Sequence, residues 1–515
     1  MAKPEPQQSN SRLILEYPEA EIVLGVVCAV GTDYRRIYSY LEETIPKFGY
    51  RANPLKVSSF IQETAHSMQV KIDLPSIPEG KRLLGYMKAG NELRRASCQC
   101  DLFALIAAAR LASARDQSSD GSPTPFPKTV HIILSLKRPE EVETLRKIYG
   151  TGFFLIGIYS TEQERLDFLM HEKNVPKDEA IMLIAKDRED EDIEFGQLTR
   201  DTFHLSDVFV ELREGRYKRE LFRFLQLVFG YPYASPTPDE FAMYHAYAAS
   251  LRSAQLGRQV GASILDADRN LIAVGCNEVP AAGGGLYWEG RNPDHRDHVL
   301  REDSNDKRKS EIAADIFKRL QGGEMLAPSA SLEETERLLR ASLLWDITEF
   351  GRPVHAEMDA MISSARNGVS PSGGTLYATT FPCHNCTRHI IAAGLTRVVY
   401  VEPYAKSLAS SLHDDAIRVE DSVTKPGGKK RKDKRVPFEP FIGVGPRRFF
   451  DLFSVTHGAG YRIERKVSGK TRNWDASVDA KPRIPMAPST YLQREILASK
   501  VVYSIFNAGK EETNA

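Results

Sequence analysis

His355, Glu357, Cys383 and Cys386 are the residues whose types and spacing point to chemistry. They lie in VHAEMDAM (354–361) and TLYATTFPCHNC (375–386). One imidazole and two thiolates supply three corners of a zinc tetrahedron, and a catalytic zinc site keeps the fourth for water. Pro382 before the first cysteine and CTRHIIAAG from the second place the pair on the opening turn of a helix. Free backbone N–H groups and the helix dipole there favour thiolate over thiol. Glu357 stands two residues after His355, near the metal without being required as a ligand, which is where a proton shuttle belongs.

H-x-E followed by P-C-x-x-C is a signature of zinc-dependent base deamination. In that chemistry Glu357 takes a proton from zinc-acidified water, and hydroxide attacks the amino-bearing carbon of the base. Glu357 then delivers protons to the ring nitrogen and the departing ammonia. A bare C-x-x-C reads equally well as a redox pair or half of a structural zinc site. A structural site needs a fourth protein ligand, for which His384 and His389 are the candidates. His384 lies between the cysteines and is expected to point away. His295 and His298, in NPDHRDH, have no cysteine nearby and read as surface residues.

These residues need a scaffold, and from Val354 the pattern is helix, strand, helix, strand. Upstream, a helix over 239–256 precedes QVGASILDADRNLIAVGCN, which reads as a β-hairpin. Residues 285–350 are polar, partly helical and look like an insertion. A final helix is predicted over 489–506. The N-terminal half alternates differently: EIVLGVVC, TVHIILSL (129–136) and GFFLIGIYS (152–160) read as strands, each followed by a helix, which argues a parallel α/β sheet. Thr161 and Glu164 form a capping box. The three prolines of YPYASPTPDE (231–240) mark a domain boundary, and 116–127 reads as a surface loop. GVVCAVGTD (25–33) sits between strand and helix, where a P-loop would sit. Five residues separate Gly25 from Gly31, Thr32 follows, and the P-loop lysine is missing. Gly25, Gly31 and Thr32 are therefore candidates for a phosphate cradle but not for phosphoryl transfer.

Composition bounds the rest. A chain of 515 residues suggests about two to four domains. The 69 basic and 69 acidic residues cancel, so any nucleic-acid surface must be local. The one concentrated patch is KPGGKKRKDKR (425–435), with seven positive charges against one negative. It reads as a solvated loop, with an RNA or phosphate contact as the alternative. No apolar stretch resembles an export signal or a membrane span. The six cysteines do not make a disulfide scaffold, and a reducing cytoplasm is expected.

Residues 240–465 resemble the deoxycytidylate deaminase family. The likeness extends beyond the zinc motif to RSAQLGRQVGASILDADRNLIAVGCNEVP (252–280), with its Gln259-Val260-Gly261-Ala262 and Gly-x-Asn. It implies a substrate-binding role for Asn277, whose alternative is a hairpin-end turn. Arg258 faces either a substrate phosphate or solvent, and Tyr404 either lines the base pocket or serves the core. The N-terminal half resembles a degenerate nucleoside-monophosphate-kinase-like domain. Together they resemble the bacterial anti-phage cytidine deaminases, although Cys28 stands where glycine is expected in the turn. The resemblance implies a fold of an N-terminal P-loop kinase-like domain (21–232), after a loose lead-in (1–20), and a cytidine-deaminase-like α/β/α domain (239–515), with a basic loop at 421–437. It implies a Zn2+ cofactor and conversion of dCTP or dCMP to the uracil form, draining the deoxycytidine pool during infection. It also implies a homo-oligomer, no membrane partner, and restraint by an inhibitory RNA or a phage-derived regulator. A deaminase acting on tRNA or single-stranded DNA is the alternative, but needs a groove of basic and aromatic residues. A non-catalytic sensor would have no use for Glu357.

Overall fold

A computed structural model describes residues 19–119, 121–189, 195–347, 349–402, 407–419, 433–456 and 462–511. Within these, the chain forms two compact units: 19–240 with 442–511, and 241–419 with 433–441. No helix among the described residues is long and apolar enough to cross a membrane.

The first unit is built on β1 (Ile22–Cys28), β2 (Arg51–Lys56), β3 (Thr129–Leu134), β4 (Phe153–Tyr159) and β5 (Val208–Glu211), in the order β5-β4-β1-β3-β2. All of these pairings are parallel. Strands β1, β3 and β4 are buried along their whole length, which is why they appear in the sequence as continuous apolar runs rather than alternating ones. Strand β2 carries Pro54 and is mostly solvent-facing, so it left no such run. On one face lie α1 (Tyr34–Thr44) and α5 (Arg216–Val228), reached by Ile22, Leu24 and Val26. On the other lie α3 (Leu102–Ser113) and α4 (Pro139–Tyr149), reached by Val23 and Val27. Helix α2 (Glu79–Ser97) precedes α3. The Thr161–Glu164 capping box forms as expected.

The expected 239–515 domain is shorter in the structure, because residues 442–511 pack on the first unit. Gly443–Val444 adds an antiparallel strand beside β5. The C-terminal helix Pro488–Glu511 lies against α3. Arg115, fully buried, explains its seat: it bonds Glu495 of that helix at 2.6 and 2.8 Å and Glu21 at 2.8 and 3.1 Å. Glu21 also takes bonds from Tyr491 at 2.6 Å and shares one with His131 at 2.7 Å. Partners 380 residues apart leave no local sequence pattern.

The second unit holds β6 (Gly261–Leu265), β7 (Leu271–Cys276), β8 (Thr375–Thr380), β9 (Arg397–Glu402), β10 (Ile417–Val419) and β11 (Val436–Pro440), in the order β10-β11-β9-β8-β6-β7. The β6–β7 hairpin is antiparallel, as expected, and β6 pairs antiparallel with β8. From β8 to β10 the pairings are parallel. Helices α6 (Pro238–Ser250), α7 (Ala356–Arg366) and α8 (His384–Ala392) accompany the sheet. Residues 285–350 contain the helices Ser304–Gly322 and Leu332–Leu339.

Burial works to raise the Glu21 carboxyl, but hydrogen bonds from His131 and Arg115 override it and hold the group at about 2, below its ordinary 4.5. Removing one partner of a buried ion pair costs about 3–5 kcal/mol. Glu21→Gln should therefore destabilise the protein by about that much at neutral pH in urea unfolding. A depressed carboxylate stabilises above its unfolded value, so the gap between wild type and variant should close as pH falls from 4.5 towards about 2.

Candidate active site

The site is assembled where α7 begins. His355 stands just before the helix in extended conformation, and Glu357 lies in its first turn. Gly275 of β7 lets α7 approach: a Cβ there would lie 2.3 Å from the Ala356 carbonyl oxygen and 2.4 Å from the Ala360 nitrogen. Asp359 fastens the same contact by accepting a bond from the Cys276 amide at 3.1 Å. Across from this turn, β8 delivers Phe381-Pro382 into α8, with Cys383 at its N-cap. The Cys386 amide donates to the Cys383 sulfur at 3.4 Å, so the helix start itself orients the first thiol.

His355 Nδ1 lies 3.4 Å from Cys383 Sγ and 3.3 Å from Cys386 Sγ. The three ligand atoms all fall within 4.8 Å of one another. Bond lengths of about 2.3 Å to sulfur and 2.0–2.1 Å to nitrogen put tetrahedral neighbours about 3.5–3.8 Å apart. The donor set therefore fits zinc, in both chemistry and spacing. The sulfurs are unlike one another. The Cys386 thiol's hydrogen bond, helped by His355, draws Cys383 down to about 4 against the pull of burial. Sharing that bond, with burial, raises Cys386 well above the ordinary thiol range. The bond with Cys383 raises His355. Glu357 is buried, and burial raises its carboxyl; it hydrogen-bonds on the Cys386 side of the cluster. A carboxyl raised in this way is suited to taking and returning a proton near neutral pH.

His384 does not join the cluster. Its Nε2 meets Glu349 at 3.1 Å, and Asn385 reaches the same carboxylate at 3.2 Å. His389 is exposed on α8, and His295 and His298 are exposed in the second unit. Among the described residues, His355, Cys383 and Cys386 form the group whose ligand atoms lie close enough together to hold a metal ion.

The other expected site residues are placed as follows. Asn277 accepts a bond from the Val260 amide and donates to the Arg258 carbonyl, each at 2.7 Å. It thereby ties the hairpin end together. The Arg258 guanidinium meets Glu402 at 2.5 Å. Tyr404 lies outside the described residues, as do 425–432 of the basic run. Gly25 sits inside β1, where a Cβ would strike Leu136 and Phe153 at 2.7 and 2.8 Å, so its smallness serves packing. Gly31, at φ +85°, and Thr32 form the turn after β1. Sequence reading noted Gly275 only as the glycine of Gly-x-Asn, not as the seat of α7, and missed Asp359 and Glu349. A glycine inside a strand facing a helix was the available signal for that seat. Glu349 closes the insertion and left none.

Residues 236–402 match the family described as the cytidine and deoxycytidylate deaminase zinc-binding region. That match covers the strand and helix starts that carry His355, Glu357, Cys383 and Cys386. The deoxycytidylate deaminase of Enterobacteria phage T2 is 43% identical over 54 residues, 10% of this chain and 29% of that protein. The phage T4 enzyme is 43% identical over a stretch spanning 28% of its length. The chain thus spans under a third of either phage relative. The probable deoxycytidylate deaminase of Drosophila melanogaster is 29% identical over 221 residues, 42% of this chain and 84% of that one. Among solved structures, the dCMP deaminase of cyanophage S-TIM5 in apo form aligns at 17% identity and TM-score 0.22, covering 40% of this chain and 100% of that one.

Two outcomes test how the second unit builds this cluster. Gly275→Ala forces overpacking between β7 and α7, which costs about 1–3 kcal/mol; it should lower zinc content measured by atomic absorption. Cys383→Ser should abolish zinc retention, and a variant that keeps full zinc would contradict the ligand set.

Proposed function

We propose that this protein hydrolytically deaminates deoxycytidine nucleotides, dCMP or dCTP, to their deoxyuridine forms. The observation that carries the reading is one imidazole and two thiols within 4.8 Å, beside a buried glutamate in the first turn of the same helix. The names of the phage and Drosophila relatives support a deoxycytidine nucleotide as substrate. His355, Cys383 and Cys386 would hold zinc, which supplies an acidified water nucleophile at its open position.

The chain's own residues account for the proton traffic. Glu357 accepts the proton from water as the oxygen bonds to the amino-bearing carbon. It passes that proton to the ring nitrogen, then takes the second proton from the newly carbon-bound hydroxyl and gives it to the amino group, which departs as ammonia as the C–N bond breaks and the carbonyl forms. Burial keeps water other than the reacting molecule away from Glu357. Asn277, by fixing the 258–260 turn, would shape the nucleoside-facing rim, and Arg258 would exchange Glu402 for substrate phosphate. Tyr404 is proposed to line the base pocket. Acting on free nucleotides, the enzyme would drain the deoxycytidine pool; the likeness to anti-phage deaminases supports infection as the occasion, a homo-oligomer as the working form, and an RNA or phage-derived regulator as its restraint.

The zinc-loaded protein should convert dCMP or dCTP to the uracil nucleotide, followed by chromatography with CTP and single-stranded DNA alongside. Glu357→Ala should lower kcat by about 10²–10⁴-fold or more with zinc unchanged. Turnover of the DNA alone would contradict the free-nucleotide reading, and loss of zinc in the variant would contradict the role of Glu357.

A further inference from the structure

The turn over 253–260 and His355 are far apart in sequence, and one residue joins them. Glu278 lies two residues past β7 and is 1% exposed. A carboxylate so buried needs its oxygens answered. Its Oε2 accepts from the Ala254 amide at 3.0 Å, and its Oε1 accepts from the Val279 amide at 2.8 Å. Two amide donors suit a carboxylate, which only accepts; a glutamine would turn an NH2 donor towards one of them. In the main chain, the Glu278 carbonyl accepts from the Val354 amide at 3.0 Å, in an isolated antiparallel bridge. Val354 is the residue before His355.

The turn hangs on the same short segment. Ser253 Oγ donates to the Asn277 carbonyl at 2.6 Å, and Gln259 Nε2 donates to the Ser253 carbonyl at 2.7 Å. The Asn277 amide donates to the Val260 carbonyl at 3.2 Å, beside the two side-chain bonds that Asn277 makes to the turn. The segment itself is held from both sides. Its Cys276 amide is bonded to Asp359, and its Val279 carbonyl accepts from the Tyr287 amide at 3.0 Å. Residues 256–259 are exposed, so the order of the turn rests on these polar ties rather than on a core.

A metal held by His355, Cys383 and Cys386 fixes His355 against α8, because binding at such a site is also folding free energy. We propose that Glu278 is a positioning residue that couples metal occupancy to the order of the turn at 253–260. Zinc seats His355, Val354 grips the Glu278 carbonyl, and the Glu278 carboxylate grips the Ala254 amide. Such a coupling is reciprocal, so a ligand that steadies the turn tightens the hold on zinc. The first half needs only that the cluster takes zinc. The second, with a deoxycytidine nucleotide as that ligand, rests on the deaminase reading.

Hydrogen–deuterium exchange on the full-length chain, zinc-saturated and after chelation, tests it. In the wild type, removing zinc should speed exchange of the amides in 254–260 by about 5- to 150-fold, while those of Ser263 and Ile264 in β6 stay protected. In Glu278→Gln the turn should exchange fast in both states, with β6 still protected, so the zinc-dependent difference disappears. Glu278→Asp, which keeps the charge on an arm too short to reach both amides, should behave in the same way. Turn amides indifferent to zinc in the wild type, β6 amides that speed up equally, or a full difference kept in either variant would each overturn the coupling. In the wild type, dCMP or dCTP should also slow the loss of zinc to the chelator by about fivefold or more, and this protection should vanish in Glu278→Gln. A turn that answers to zinc in a chain that neither binds nor deaminates these nucleotides would uphold the coupling and remove the deaminase reading instead.

Discussion

The close approach of α7 to β7 is the contact on which the cluster of His355, Cys383 and Cys386 depends. Gly275 leaves room for the Ala356 carbonyl and the Ala360 amide, and Asp359 bridges from the helix to the Cys276 amide. Burial raises the Asp359 carboxyl, while the Cys276 amide lowers it. That seating fixes where the helix starts, and the helix start fixes His355 and Glu357. The cysteines come from a second helix start, at the end of β8. Two helix N-termini therefore converge on one point, each presenting the positive end of its dipole, and in α8 the Cys386 amide already reaches the Cys383 sulfur. Such a point favours thiolates and a dication-bound anion, which is what the chemistry needs.

The Cys-x-x-Cys turn is also held from outside the core. His384 and Asn385 face Glu349, at the end of the polar stretch 285–350. The insertion thereby removes His384 from contention as a ligand and leaves three protein donors. Three donors define an open site; four would define a structural one.

The cluster of His355, Cys383 and Cys386 was legible in the sequence because its determinants are local. His355 and Glu357 are two residues apart, Cys383 and Cys386 three, and each pair sits at a helix start that proline or periodicity announces. The parallel strands were legible because double burial writes continuous apolar runs. What distance in sequence hides was not legible. Glu495 meets Arg115 across 380 residues, so the tail was assigned to the wrong unit. The turn at 25–33 resembled a phosphate loop by glycine spacing alone. In the fold Gly25 is a packing glycine.

The central claim is that His355, Cys383 and Cys386 form an open metal site facing substrate. Cobalt(II) substitution tests it most directly, because thiolate–cobalt charge-transfer bands report the sulfur ligands and the visible d–d bands report coordination. The account predicts a tetrahedral spectrum with thiolate bands that changes when a deoxycytidine nucleotide is added. A spectrum without thiolate bands, or one that saturating nucleotide leaves unaltered, would contradict it.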